Sequence, residues 1–208
     1  MAFKETYSPA TMPQRLTAHD FGFVGSDMHR PECVLALSDG SVLVSDEQRV
    51  VARIAADGTQ TRHGHGPELS NTFALRDDGG LVVADLRRGA ILQTDAAGGT
   101  TLLHDSYGGE PLGAVNFVLA AEADNSFYVA VSTREADFRV AVKDPRPDGR
   151  IFHLNENGLK LVADGLFFPN AMQIDPRSNR IFIAETMASA VTYGEIRADG
   201  SLGPLKRY

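Results

Sequence analysis

Short apolar runs separated by glycine-bearing turns recur along this chain, and no stretch holds a helical period. One order of elements appears four times. An apolar stretch leads into an Asp, Asn or Gly turn. A strongly β-prone run follows, ending in a small or acidic residue, and then a shorter run enters a second turn. In the first unit, residues 32–37 meet Ser38-Asp39-Gly40, then come 41–46, 50–55 and Ala56-Asp57-Gly58. In the second, 71–75 meet Arg76-Asp77-Asp78-Gly79-Gly80, then 81–85, 90–94 and Gly98-Gly99. In the third, 116–122 meet Asp124-Asn125, then 126–131, and after an insertion 150–154 and Asn155-Glu156-Asn157-Gly158. In the fourth, 170–175 meet Pro176-Arg177-Ser178-Asn179, then 180–185, 191–196 and Ala198-Asp199-Gly200. Glycine and asparagine tolerate the positive φ of tight hairpin turns, so each unit reads as hairpins joining four antiparallel strands. The units open at 32, 71, 116 and 170, a step near the ~40 residues of one propeller blade. The same order at a repeating step favours a propeller over a β-sandwich. The predicted fold is therefore all-β, a β-propeller of four-stranded antiparallel blades. The polar insertion 132–148, with Pro145 and Pro147, is expected to be a loop over one rim. Residues 1–30 are less regular and are expected to supply a ring-closing strand as well as a flexible tail.

Composition narrows the function classes. The 208 residues are 43% hydrophobic and 23% charged, which suits a single globular domain over 1–208. Lys and Arg number 20 against 27 Asp and Glu, giving a net charge of -7 and a pI near 5.3. That balance, without a basic run, argues against nucleic acid and anionic membranes as partners. The lone cysteine, Cys33, excludes an internal disulfide and any Cys-rich zinc site, and is expected to be a core thiol facing away from Glu32. No apolar run reaches the roughly 18 residues of a membrane helix. The first residues lack the apolar core of a signal peptide, so a cytoplasmic location is expected.

The candidate chemistry lies where the units open. Each begins with a polar residue before an apolar strand: Glu32, Asn71, Asn116 and Asn170. The first strand of each propeller blade lines the central channel, so equivalent positions converge on one mouth. One carboxylate and up to three amide oxygens around a point suit a hard divalent cation, calcium first, with magnesium or manganese open. His63-Gly64-His65 reads as surface histidines in a loop, and His104 and His153 as packing or surface residues. His29 is near enough in sequence to Glu32 to be tested against the mouth. No Gly-x-Ser-x-Gly elbow, Gly-x-Gly-x-x-Gly or P-loop occurs, so serine-hydrolase and nucleotide-binding readings find no support.

Three segments carry a family resemblance: Arg30-Pro31-Glu32; Asn116-Phe117-Val118-Leu119 with Val131-Ser132-Thr133-Arg134; and Gly165-Leu166-Phe167-Phe168-Pro169-Asn170 followed by Asp175 and Ile181-Phe182-Ile183-Ala184-Glu185. In order and spacing they resemble the SMP-30/gluconolactonase/LRE-like (regucalcin-type) family. The resemblance implies a six-bladed propeller, of which this chain carries about four blades, shortened at its C-terminus. It implies a divalent-metal-dependent hydrolase, foremost a sugar lactonase acting on a small-molecule aldonolactone; a phosphotriesterase or synthase of the same superfamily, or a non-catalytic binding propeller, are its alternatives. It implies Glu32, Asn116 and Asn170 as metal ligands, for calcium foremost and with magnesium, manganese or zinc open. Asn116 and, near the mouth, Arg134 become substrate contacts; Asn71 joins them on the repeat argument. The family's catalytic Asp is expected beyond Tyr208, and Phe117 stands where many members have Asp.

Overall fold

In a computed structural model, which describes residues 16–47, 49–121 and 125–208, the four units become four antiparallel four-stranded blades arranged as a β-propeller. Blade 1 is β1 (Val34–Ala36), β2 (Val42–Ser45), β3 (Val51–Ile54) and β4 (Gln60–His63). Blade 2 is β5 (Ser70–Leu75), β6 (Leu81–Asp85), β7 (Ala90–Thr94) and β8 (Thr100–His104). A small hairpin, β9 (Ser106–Tyr107) and β10 (Glu110–Pro111), precedes blade 3. Blade 3 is β11 (Val115–Ala120), β12 (Phe127–Val131), β13 (Gly149–Asn155) and β14 (Gly158–Leu166). Blade 4 is β15 (Pro169–Asp175), β16 (Arg180–Glu185), β17 (Ala190–Glu195) and β18 (Lys206–Arg207).

The core lies between successive blades, which explains why the second strands are apolar without alternation. In β6, Leu81 and Val83 pack toward blade 1, while Val82 and Ala84 pack toward blade 3. In β12, Phe127, Val129 and Val131 join the layer with blade 2, and Tyr128 and Ala130 join the layer with blade 4. Period-2 alternation is present, but both faces are buried, so the polar face vanishes.

The glycine turns share one geometry. Gly40, Gly58, Gly79, Gly98 and Gly200 all have positive φ, and each N–H closes the turn on the carbonyl three residues back. In four of these turns the preceding Asp accepts the N–H two residues on: Asp39, Asp57, Asp78 and Asp199. The Thr59 N–H, above all, holds the Asp57 carboxyl below the usual carboxylate range.

Two expectations change. The insertion is not only loop: it holds a short helix, α1 (Phe138–Lys143), N-capped by the Asp137 side chain, which accepts the Arg139 N–H at 3.0 Å. Phe138 packs against Leu69, Leu86 and Ala114, and Ala141 is buried. The apolar content of Phe-Arg-Val-Ala-Val, hidden among polar flanks, is what anchors it. Phe138→Ala is expected to cost about 1–2 kcal/mol, below a full-core Phe because the ring is half-buried; faster amide exchange confined to 138–143 checks it. The described part of the N-terminal segment forms no strand. Ser26 instead exchanges backbone–side-chain hydrogen bonds with Gln60 of β4 at 2.9 and 2.8 Å. Residues 1–15 and the turn residues Glu122 and Asp124 lie outside the described residues. Among the described residues no helix is long and apolar enough to cross a membrane.

Candidate functional site

Asn71, Asn116 and Asn170 occupy one structural position three times. In blades 2, 3 and 4 the pairing of the first two strands slips at a bulge between Ser70 and Thr72, Val115 and Phe117, and Pro169 and Ala171. The asparagine is the extra residue in each case, so its side chain is re-aimed from the sheet face toward the neighbouring blade. β11 lies against both β5 and β15, which brings the three amides into line.

They form a directed chain of hydrogen bonds. Asn71 Nδ2 donates to Asn116 Oδ1 at 2.5 Å and to the Asn116 carbonyl at 2.9 Å. Asn116 Nδ2 donates to Asn170 Oδ1 at 3.1 Å and to Ser132 Oγ at 2.7 Å. Asn170 Nδ2 donates to Thr186 Oγ1 at 3.1 Å. Thr72 Oγ1 supports the middle of the chain, donating to the Asn116 carbonyl at 3.0 Å and accepting the Val118 N–H at 2.9 Å. Asn71 and Asn116 are buried with their polar atoms paired, while Asn170 is exposed. Buried, fully paired networks of this kind hold side chains in single positions.

Blade 1 joins through Arg30. Its Nη1 donates to Asn71 Oδ1, and its Nη2 lies 3.2 Å from Glu32 Oε1. One polar thread therefore runs from Glu32 through Arg30, Asn71, Asn116 and Asn170 to Thr186, touching all four blades. Arg30 adopts a left-handed φ of 54°. It precedes Pro31, which disfavours the right-handed helical region, and a non-glycine residue there costs on the order of 1–3 kcal/mol. Arg30 belonged to a motif visible in the sequence, yet its contact with Asn71 spans 41 residues and no local signal announces it.

The residues ending the second strands hold the segments that lead into the first strands. Ser45 Oγ accepts the N–H groups of Glu32 and Cys33, both at 3.0 Å. Asp85, fully buried, accepts Glu68 N–H at 2.7 Å, Leu69 N–H at 3.0 Å and Arg88 N–H at 3.2 Å. Ser132 Oγ donates to the Pro169 carbonyl at 2.8 Å. Glu185 accepts the Phe167 N–H at 2.7 Å and the Thr192 hydroxyl at 2.9 Å. A small or acidic residue at the end of the second strand, or one position beyond it in blade 3 (Ser45, Asp85, Ser132 and Glu185), is thus a backbone clamp.

The other predicted residues fall elsewhere. Arg134 is exposed and pairs with Asp164 of β14, the outermost strand of blade 3, at 2.8 Å; the structure does not bring it to the amide chain. His29 is exposed, and its carbonyl accepts the Glu47 N–H. His63 ends β4 instead of lying in a loop, half-buried, and His65 is exposed beside Arg49. His153 is buried, with a ring nitrogen 3.1 Å from Ser126 Oγ. Cys33 is half-buried against the layer between blades 1 and 2; burial pushes its thiol up, offset in part by its hydrogen bond to the Phe73 carbonyl.

Beside the thread opens a cavity of about 580 Å³, lined by Arg30, Glu47, Arg87, Asp137, Phe138 and Arg139 among others. Glu47 is paired with Arg87 at 2.9 Å and Asp137 with Arg139 at 2.8 Å. The volume falls in the range of small-ligand sites. For a cation, the thread offers oxygen donors only: the Glu32 carboxylate and three amide oxygens, each amide accepting one N–H and keeping a second lone pair. That chemistry fits a hard divalent ion better than zinc. Among the described residues no cluster of three or more His, Cys, Asp or Glu could hold a metal, so Glu32 is the one charge this donor set carries.

The fold is a β-propeller of four-stranded antiparallel blades, with the opening residues of blades 2, 3 and 4 joined in one chain of amides. The chain belongs to the SMP-30/gluconolactonase/LRE-like family, whose profile matches residues 30–206. None of the curated proteins matches the sequence. Among solved structures, it is similar to a gluconolactonase of Xanthomonas campestris, with 23% identity and a TM-score of 0.72, over 88% of this chain and 63% of that one. It is also similar to a candidate gluconolactonase, with 18% identity and a TM-score of 0.70, over 88% and 64%. A streptogramin B lyase matches with 14% identity and a TM-score of 0.62, over 87% and 55%. At these identities the likeness is one of fold. The chain spans less than two thirds of the length of each of these structures.

Proposed function

We propose that this protein is a divalent-cation-dependent hydrolase of small cyclic esters, foremost a sugar lactone, with calcium as the preferred ion. The observation that carries the reading is the convergence of Glu32, Asn71, Asn116 and Asn170 from four blades into one connected cluster beside a ligand-sized cavity. Family membership supports the same chemistry. When bound, a divalent cation supplies Lewis acidity toward the ester carbonyl. In this reading Glu32, Asn116 and Asn170 hold it. Glu32, with its side chain 47% exposed, is also open to water and can accept a proton from it. The Nδ2 groups of Asn71 and Asn116 already donate to Asn116, Asn170 and Ser132, so in this reading they meet substrate oxygens only by exchanging those bonds. Arg134 contributes only by leaving Asp164 to meet a polyhydroxy substrate.

A second reading, a non-catalytic binding propeller, draws on the Arg30–Glu32 pair, which neutralises the one carboxylate of the cluster. One experiment separates the two. The 208-residue chain is assayed by pH-stat against aldonolactones and a phosphotriester, with calcium and then with excess EDTA. Lactone hydrolysis that EDTA stops is expected. Hydrolysis surviving EDTA contradicts the cation requirement, a preference for the phosphotriester reassigns the substrate class, and no hydrolysis together with thermal unfolding that calcium leaves unchanged selects the binding module.

A further inference from the structure

We infer that Arg30 is the resident counter-ion of the cluster and competes with a divalent cation for Glu32, while aligning the amide chain through Asn71, so that cation binding requires the guanidinium to leave. The inference rests on the proposed cation site and adds a residue to it. Three observations carry it. The first is charge: Arg30 and Glu32, 3.2 Å apart, cancel each other, so an incoming cation meets a neutral cluster and a positive group already beside its only anionic ligand. The second is occupancy of the donors. Arg30 takes the Asn71 amide oxygen, and this sets the direction of the whole chain: Asn71 then donates to Asn116, and Asn116 to Asn170. With Arg30 in place, each amide oxygen of the cluster faces an N–H. The third is a destination. Arg30 borders the cavity of about 580 Å³ whose wall carries the carboxylates of Glu47 and Asp137. Those acids are already paired with Arg87 and Arg139, so a guanidinium released from Glu32 enters the open cavity and gains a carboxylate there by sharing one of these pairs.

Cation binding then reads as an exchange: Glu32 trades one positive partner for another, and the amide chain loses the donor that aligns it. A unit charge near a divalent ion opposes its binding by an amount that grows as water is excluded. Removing the guanidinium charge is therefore expected to tighten calcium binding roughly tenfold or more. Arg30→Lys keeps the charge and should stay within a few-fold of the parent.

The test is calcium titration by isothermal calorimetry, with calcium-dependent thermal unfolding alongside, on the parent chain, Arg30→Gln, Arg30→Lys and Glu32→Gln. Tighter binding by Arg30→Gln, with no binding by Glu32→Gln, is the expected result. Equal or weaker binding by Arg30→Gln, while Glu32→Gln still abolishes it, overturns the competition and leaves the cation site standing. No calcium binding by any of the four proteins overturns the cation site and the competition with it. Should Arg30→Gln fail to fold, the parent chain answers through its arginine side-chain ¹H–¹⁵N signals. One hydrogen-bonded guanidinium signal lost or shifted at saturating calcium supports the exchange. An unchanged arginine spectrum at saturating calcium rejects it.

Discussion

Glu32→Gln is expected to leave the blades folded, to remove calcium-dependent stabilisation and to reduce lactone hydrolysis by at least roughly 30-fold. The figure follows from charge. Two unit charges 4 Å apart interact by about 1 kcal/mol in water, a divalent ion doubles this, and each 1.4 kcal/mol is a factor of ten. Because the cluster is partly shielded from water, the true loss is expected on the larger side. The fold should survive because Glu32 precedes β1, is exposed, and holds its place through its backbone N–H on Ser45 Oγ at 3.0 Å, which the substitution keeps. Melting curves with calcium and with EDTA check this: the curves of the variant should coincide, whereas those of the parent should separate. A calcium-induced shift in Glu32→Gln equal to that of the parent rules Glu32 out as the charged ligand.

Asp85→Ala is expected to destabilise the protein by about 3 kcal/mol or more, the largest loss among the polar positions considered. The carboxylate is fully buried and receives three backbone N–H groups. Deleting it strands these donors, each at about 1–3 kcal/mol where water cannot replace the acceptor. For a domain of this size that corresponds to a fall in melting temperature of roughly 6 °C or more. Asp85→Asn should lie between, because one oxygen still accepts while the amide turns a donor toward a donor. The effect should also reach the site. Leu69, clamped by Asp85, leads directly into Ser70 and the bulge that aims Asn71, so calcium binding should weaken alongside stability. Chemical denaturation with a calcium titration on the folded variant measures both. Loss of stability with undiminished calcium affinity would separate the clamp from the site.

Much of this architecture was legible in the residues. The second and third strands of blade 2 run over 81–85 and 90–94 as expected, and β16 over 180–185, because glycine turns and β-branched runs are local signals that burial on both faces reinforces. The insertion misled because α1 is only one turn and a half long and is anchored by contacts of Phe138 with Leu69 and Leu86, far away in sequence. Arg134, expected near the mouth, shows the opposite limit: its side chain is held at the outer strand by Asp164, thirty residues on, a contact no local signal announces.

The residues by themselves determined the blade repeat, its turn positions and the four polar openers, since these depend on local φ/ψ preference and hydrophobic alternation within each unit. The tertiary structure decided everything that needs two units at once. The bulges that aim Asn71, Asn116 and Asn170 at one another form only between paired strands. The direction of the amide chain depends on Arg30 reaching a partner 41 residues away. Whether a strand-end carboxylate is a ligand or a clamp depends on which N–H groups surround it, and for Asp85 those are backbone amides in a site closed to water.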